Sequence, residues 1–393
     1  WTRTLRLCND GIEQLRTAGR MYYLWELLEI KKEGVTKLLH QVGDSKGAIT
    51  RQTLENIVKT TADWLDALDF VHNLCETHRG MESSCYLYQQ KEAYCISDVI
   101  RRRREMLGLT KKKLCEGVCS EKTIGRLEAN KTKPQLAVVR RLFEKMNLSG
   151  EYQRWQIVTD DVRAFSIYDE IGRSANNREF EKIKRLLIDL EKYVSMKNPI
   201  NKQYKERIEV IAERRQGNIS KEVAKRQLIE ILEYTIPYEV AVKNGIKYLT
   251  NVEMQILLDI AYNMRMPCIN IAFKSLENMC EQMRQEDGIS EHIAAWETIM
   301  TNIASTYGSV GEYGKSDEIS LITIKECIQC YRMNALVSNI YSITWNMGEC
   351  KKKDFPLKHE YHEKEYLNKC LILCQMNKNI SKTVTIRNRL ESL

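Results

Sequence analysis

Between Leu107 and Pro134 the chain reads LGLTKKKLCEGVCSEKTIGRLEANKTKP, and few backbones suit that order of residues. Thr110 and Ser120 each stand where a helix wants an N-cap. A hydroxyl there accepts from a backbone N–H that the first turn leaves without a partner. Between them, Gly117-Val118-Cys119 makes a tight corner. Leu109, Leu114, Val118, Ile124 and Leu127 recur at spacings that put them on one shared inner face. Lys111, Lys112, Lys113, Lys122 and Arg126 then point outward. Two short helices, a Gly-containing turn and a basic outer face are what a chain needs to present a helix to the major groove of double-stranded DNA.

The charge distribution agrees. Ser97 to Lys133 hold eleven Lys or Arg against five Asp or Glu, a net +6 in 37 residues, while the whole 393-residue chain carries +8. The remainder is close to neutral, so the positive field is concentrated on one module, as phosphate neutralisation requires. Lys122 and Arg126 stand one helical turn apart and can enter the same groove. Arg126 can fork onto a guanine or a phosphate, and Lys122 is a point charge for either. Gly125 weakens the second helix by about 1 kcal/mol relative to Ala and removes one possible contact. The run Arg101–Arg104 reads as a solvated face with one or two phosphate contacts among its members.

The rest of the chain reads as helix. Proline is scarce (5) and glycine modest (18), while Leu, Ile, Glu and Lys recur throughout, which favours helices over sheets. Helical patterns cover Leu5 to Leu15, Met21 to Leu39 and Gln52 to Leu74, around a Gly- and Ser-containing loop at Val42 to Thr50. The aromatic-rich Met81 to Cys95 leads into the module. After Leu148, apolar periodicity predicts about eleven helices of roughly 13–20 residues joined by short loops, the outline of an α-solenoid. Segments 258–264, 301–307 and 341–347 align as a weak repeat. Their small residues Ala261, Ala304 and Thr344 lie 43 and 40 positions apart (261 to 304, 304 to 344), a separation suited to two-helix repeats. The expected fold class is all-α: a helix-turn-helix domain flanked by α-solenoid repeats, with boundaries at 1–95, 96–150 and 151–393.

Other function classes find little support. No apolar run is long enough to span a membrane, and the first residues show no secretory signal pattern. Trp1 stands in mid-helix-like sequence, which reads as a chain lacking its natural beginning. Thirteen cysteines are scattered along the helices, with pairs at Cys115/Cys119, Cys327/Cys330 and Cys370/Cys374. They read as small apolar core residues of a reduced, cytoplasmic protein. Only Cys327-x-x-Cys330 has half of a zinc pattern, so no metal site is assigned. His359-Glu360-Tyr361-His362 spaces its histidines three apart rather than four. With no phosphate loop, nucleophile elbow or paired carboxylates, neither an enzyme nor a cofactor is expected.

The order Ile96-x(3)-Ile100-Arg101-x(2)-Arg104, Gly108-Leu109-Thr110-x(3)-Leu114 and Cys119-Ser120-x-x-Thr123-Ile124-x-Arg126-Leu127-Glu128-x-Asn130-Lys131-x-x-Pro134 resembles the Xre-type helix-turn-helix family. The corner Leu114 to Ser120 is similar to the Rgg/PlcR-like group, which joins this module to a tetratricopeptide-type (TPR) array that binds short signalling peptides in quorum sensing. The resemblance implies a sequence-specific transcription regulator, acting as a homodimer on paired half-sites. It places Ser120, Glu121, Lys122, Thr123 and Arg126 on the bases and Thr110 and Lys111 on the DNA backbone. In the array, Asn263, Asn302, Asn339 and Asn346 are the candidate ligand residues, because carboxamides can both donate to and accept from an extended peptide. Asn339 and Asn346 are seven apart and share a face, although a single asparagine is more often a cap or a surface residue. An internal module departs from the family, whose domain normally opens the protein; one explanation makes residues 1–95 the tail of a preceding array. A second reading makes the array a protein-interaction scaffold and the module a vestige.

Overall fold

The computed structural model describes residues 2–21, 23–41, 51–77, 96–129, 131–132, 135–148, 157, 159, 161–243, 249–263, 269–285, 289–353 and 362–393. The segments Val42–Thr50 and Met81–Cys95 lie outside the described residues. Among those described, the regular elements are α-helices, with one isolated antiparallel bridge between Arg20 and Arg332. The chain divides into two units, one built from Trp1–Tyr86 and Met300–Leu393, the other from Leu87–Ile299. The first unit opens with α1 (Thr2–Ala18), α2 (Leu24–Gln41) and α3 (Arg51–Leu74). Leu24 and Leu28 of α2 and Leu65, Leu68 and Val71 of α3 are buried, at the spacings of a single inward stripe on each helix.

The second unit starts with four short helices, α4 (Ile96–Met106), α5 (Lys111–Cys115), α6 (Glu121–Glu128) and α7 (Leu136–Lys145). They are followed by α8 (Arg163–Asn176), α9 (Phe180–Leu190), α10 (Pro199–Gln216), α11 (Lys221–Leu232), the one-turn α12 (Tyr238–Ala241), α13 (Asn251–Asn263) and α14 (Ile271–Gln285). Here α8 packs on α9, α10 on α11, α11 on α13 and α13 on α14. The ends of these helices follow from their sequence. Asn198 accepts from the Ile200 N–H at 2.9 Å with Pro199 in the first turn of α10, and Gly217, at φ +83°, closes that helix. Ser220 caps α11 through the Val223 N–H. Thr250-Asn251-Val252-Glu253 forms a reciprocal cap for α13: the Thr250 N–H donates to Glu253 Oε2 at 2.8 Å, and the Glu253 N–H to Thr250 Oγ1 at 3.2 Å. Ala261, one of the repeated small residues, is fully buried, and its carbonyl accepts from Asn270 Nδ2 at 3.0 Å.

The next helix, α15 (Ile289–Ser309), passes through the division at Ile299. The first unit is completed by its last residues and by α16 (Tyr313–Gln329), α17 (Leu336–Lys352), α18 (Glu363–Met376) and α19 (Ile380–Glu391). Successive helices from α16 to α19 pack on one another, and α3 lies against α16 and α18. One apolar cluster therefore combines Ile12, Leu24, Leu28 and Leu68 with Ile340, Ile343, Leu367 and Leu373. Polar contacts repeat the pairing of the two chain ends. Arg16 donates through Nε and Nη2 to the carbonyls of Met376 and Gln375, both at 2.7 Å, and so satisfies the last turn of α18. The Met21 N–H donates to the Tyr331 carbonyl at 2.8 Å and the Met333 N–H to the Gly19 carbonyl at 3.0 Å. Gly19 has φ +64° and lies against the Asn334 carboxamide, where any Cβ would collide.

The cysteines of this unit serve its core. Cys327, Cys330, Cys370 and Cys374 are buried. Burial pushes the Cys370 thiol up and the Cys374 thiol to about 11, away from the thiolate that metals and electrophiles require. His359, Glu360 and Tyr361 lie outside the described residues. Among those described, no helix is long and apolar enough to cross a membrane.

Leu68→Ala tests the shared core. It should cost about 2–5 kcal/mol and reduce amide hydrogen-exchange protection in α18, 300 residues away (68 to 368). Unchanged protection there would mean that the two ends of the chain do not stabilise each other.

Candidate nucleic-acid interface

The module is assembled on the caps expected of it. Thr110 Oγ1 accepts from the Lys113 N–H at 3.1 Å and opens α5. Ser120 Oγ accepts from the Thr123 N–H at 3.1 Å and opens α6, with the two hydroxyls 2.8 Å apart. The corner between the helices turns at Gly117, whose φ of +71° is left-handed. Ile100, Leu114, Cys115, Ile124, Leu127, Val139, Leu142, Phe143 and Met146 form the core beneath, with Leu109 and Val118 packed against it. Lys145 fastens the corner from α7 by donating to the Glu116 carbonyl, at the end of α5.

This core leaves one face outward. Lys112, Lys113, Glu121, Lys122 and Arg126 are exposed, Ser120 is exposed beside them, and Thr123 is half-buried. On α6, Ile124 and Leu127 are fully buried while Lys122 and Arg126 stand on the opposite side, one turn apart. Neither cation makes a hydrogen bond or ion pair among the described residues. Both ends of this arrangement follow from a 3.6-residue period. Lys111 differs from the other lysines, because its ammonium is 3.4 Å from the Glu128 carboxylate. Lys133 lies outside the described residues.

The arginine run departs from the solvated face expected of it. Arg101 is exposed, but Arg103 is fully buried and Arg104 nearly so. Arg104 forks onto Glu128, with Nε 2.5 Å from Oε1 and Nη2 3.1 Å from Oε2, and gives Nη1 to the Leu109 carbonyl at 3.0 Å. The Glu128 carboxylate holds the Arg104 charge above its ordinary pKa. Arg103 forks onto Glu253, with Nη2 2.7 Å from Oε1 and Nη1 3.1 Å from Oε2. The physical reason is position. Ile100, Arg103 and Arg104 fall at i, i+3 and i+4 on α4, with Leu107 in register just past its end, so the two arginines fall on its inner face. The same spacing was the available signal for them, and the Thr-x-x-Glu capping pattern at Thr250–Glu253 was the signal for Glu253.

The asparagines of the array are distributed unevenly. Asn302 on α15 is half-buried. Asn339 and Asn346 are fully buried on one face of α17. Asn339 Nδ2 donates to Thr301 Oγ1 at 2.8 Å and to the Ala335 carbonyl at 2.9 Å. Asn346 Nδ2 donates to Ser316 Oγ at 2.8 Å and Asp317 Oδ1 at 2.7 Å. Among the described residues, the Oδ1 atoms of both, with the hydroxyl of buried Ser320, have no hydrogen-bond partner. Asn263 ends α13, and its side chain lies outside the described residues.

Residues 100–153 match the helix-turn-helix family, which agrees with the geometry of α4 to α7. No curated protein matches the chain by sequence. Among solved structures, Bacillus thuringiensis PlcR in complex with the peptide PapR7 and DNA is 15% identical, with a TM-score of 0.45, over 75% of this chain and 99% of that one. The SHP pheromone receptor Rgg2 of Streptococcus dysgalactiae is 12% identical, with a TM-score of 0.35, over 76% and 99%. ComR from S. thermophilus, in complex with DNA and its signalling peptide ComS, is 10% identical, with a TM-score of 0.39, over 76% and 99%.

Gly125 is half-buried on α6, and a Cβ built there would touch nothing within 4 Å. Packing does not demand the glycine. Gly125→Ala should therefore raise the stability of the module by about 0.5–1 kcal/mol, measured as a higher denaturant midpoint; a lower midpoint would contradict the open position.

Proposed function

We propose that the chain is a sequence-specific, DNA-binding transcription regulator whose helical repeats bind a regulatory ligand, a short signalling peptide. One observation supports the DNA reading above the others. Lys122 and Arg126 project side by side from a helix whose other face is locked into the module core. Such an arrangement delivers a point charge and a planar fork to one groove. Ser120, Glu121 and Thr123 would stand over the bases, and Thr110, with Lys111, over the phosphates. One such module buries little surface, so tight binding calls for a homodimer on two half-sites. The protein would act in the cytoplasm, without a catalytic role.

Support for the ligand comes from the orphaned amide oxygens of Asn339 and Asn346. Leaving a buried acceptor without a donor costs about 1–3 kcal/mol. An extended peptide offers backbone N–H donors at regular intervals, which would relieve that cost if α16 and α17 part to admit it. Asn302 on the adjoining α15 is a further candidate contact beside them, and Asn263 is a separate candidate in its own unit.

A gel shift over a series of salt concentrations tests the DNA reading. Wild type should bind double-stranded DNA with an affinity that falls steeply with salt. Lys122→Ala combined with Arg126→Ala should weaken it by about tenfold or more and lower the salt slope by about two. An unshifted probe at low salt, or a double variant that binds like wild type, would remove this reading and leave the array as an interaction scaffold.

A further inference from the structure

Adjacent arginines on α4 grip two different parts of the second unit, and neither grip touches the outward face of the module. Arg104 holds Glu128, the last residue of α6. Arg103 holds Glu253 in the first turn of α13, and the side chains of that pair are both 0% exposed. We infer that Arg103 and Glu253 are a positioning pair, which sets where the helix-turn-helix module stands on the array of its own unit. The consequence for DNA rests on the reading proposed above; the pair itself does not.

Three features carry the inference. First, the carboxylate of the pair is fully hydrogen-bonded and every nitrogen of the guanidinium is engaged. Glu253 Oε1 accepts from Arg103 Nη2 at 2.7 Å and Thr235 Oγ1 at 2.6 Å, and Oε2 accepts from Arg103 Nη1 at 3.1 Å and the Thr250 N–H at 2.8 Å. Arg103 Nε adds the Met146 carbonyl at 3.2 Å. A desolvated fork on a carboxylate fixes distance, plane and direction together, and cannot slide without stranding a charge. Second, among the described residues the apolar cluster of the module is made of residues between Ile100 and Leu148, with none from the array. Third, the grip continues inward. Thr235 accepts from Gln203 Nε2 at 2.8 Å, and the same amide donates to the carbonyls of Ile231 and Leu232 at 2.9 and 3.1 Å. A displacement of α10, α11 or α13 therefore reaches Arg103 through hydrogen bonds, and Arg104, one residue on, ties α4 to the end of the reading helix.

Hydrogen exchange on the intact chain tests this without DNA, so its failure is distinct from a failure of DNA binding. Glu253→Gln keeps the length of the side chain and an acceptor for Thr250 while removing the charge. It should speed amide exchange across α4 to α7 by about tenfold or more while leaving α14 unchanged. Thr250→Ala, which weakens the cap and spares the fork, should affect α13 alone. The deciding variant is Arg103→Met with Glu253→Gln, which buries no charge. A pair that merely balanced buried charge would be cured by it, whereas a positioning pair would not, so exchange in α4 to α7 should remain about tenfold fast. Wild-type exchange in the double variant, or in Glu253→Gln, would overturn the inference.

Discussion

A guanidinium and a carboxylate taken out of water together lose several kcal/mol of hydration each, and only close, complete hydrogen bonding offsets that loss. Arg103 and Glu253 provide such bonding: each Glu253 carboxylate oxygen accepts two hydrogen bonds, and each of the three guanidinium nitrogens donates at least one. Such a pair is a poor source of net stability and a strong source of specificity, because every alternative arrangement leaves a charge stranded. The second unit is organised around this constraint. Glu253 must cap α13 and accept Arg103 at once, which joins the start of that helix to α4. Thr235 and Gln203 extend the network to α10 and α11.

The charge of the module takes on a different meaning in this light. Of the eleven cations between Ser97 and Lys133, Arg103 and Arg104 are structural, and Lys111 is drawn toward Glu128. The field that remains for phosphates is smaller than the count suggests, but better placed. Lys112, Lys113, Lys122 and Arg126 are exposed on two helices whose backbone is held by two caps and a fastened corner. Preorganisation of this kind matters for base reading, since long side chains on a fixed helix lose less freedom on binding than the same side chains on a mobile loop.

Local chemistry was legible in the residues; distant partnership was not. Thr110, Ser120 and the Leu114–Leu127 spacing predict the caps and core of the module, and those features occur where periodicity places them. Periodicity also puts Arg103 on the inner face of α4, but it cannot name a partner 150 residues away. The same limit applies to Arg16, whose amphipathic helix is evident while its acceptors at Gln375 and Met376 are not. Asn339 and Asn346 show the converse. Their shared face was visible at a spacing of seven, yet whether that face meets solvent or another helix depends on α15 and α16, which pack against it only in three dimensions.

The proposed function depends most on α6 reading base pairs rather than merely touching phosphates. Selection of binding sites from a pool of random double-stranded DNA, at physiological salt, measures this directly. Enrichment of one short motif that disappears with Arg126→Ala is the predicted result. A pool that stays random although the protein retains DNA at low salt would contradict it, because affinity without sequence preference is what phosphate contacts alone produce.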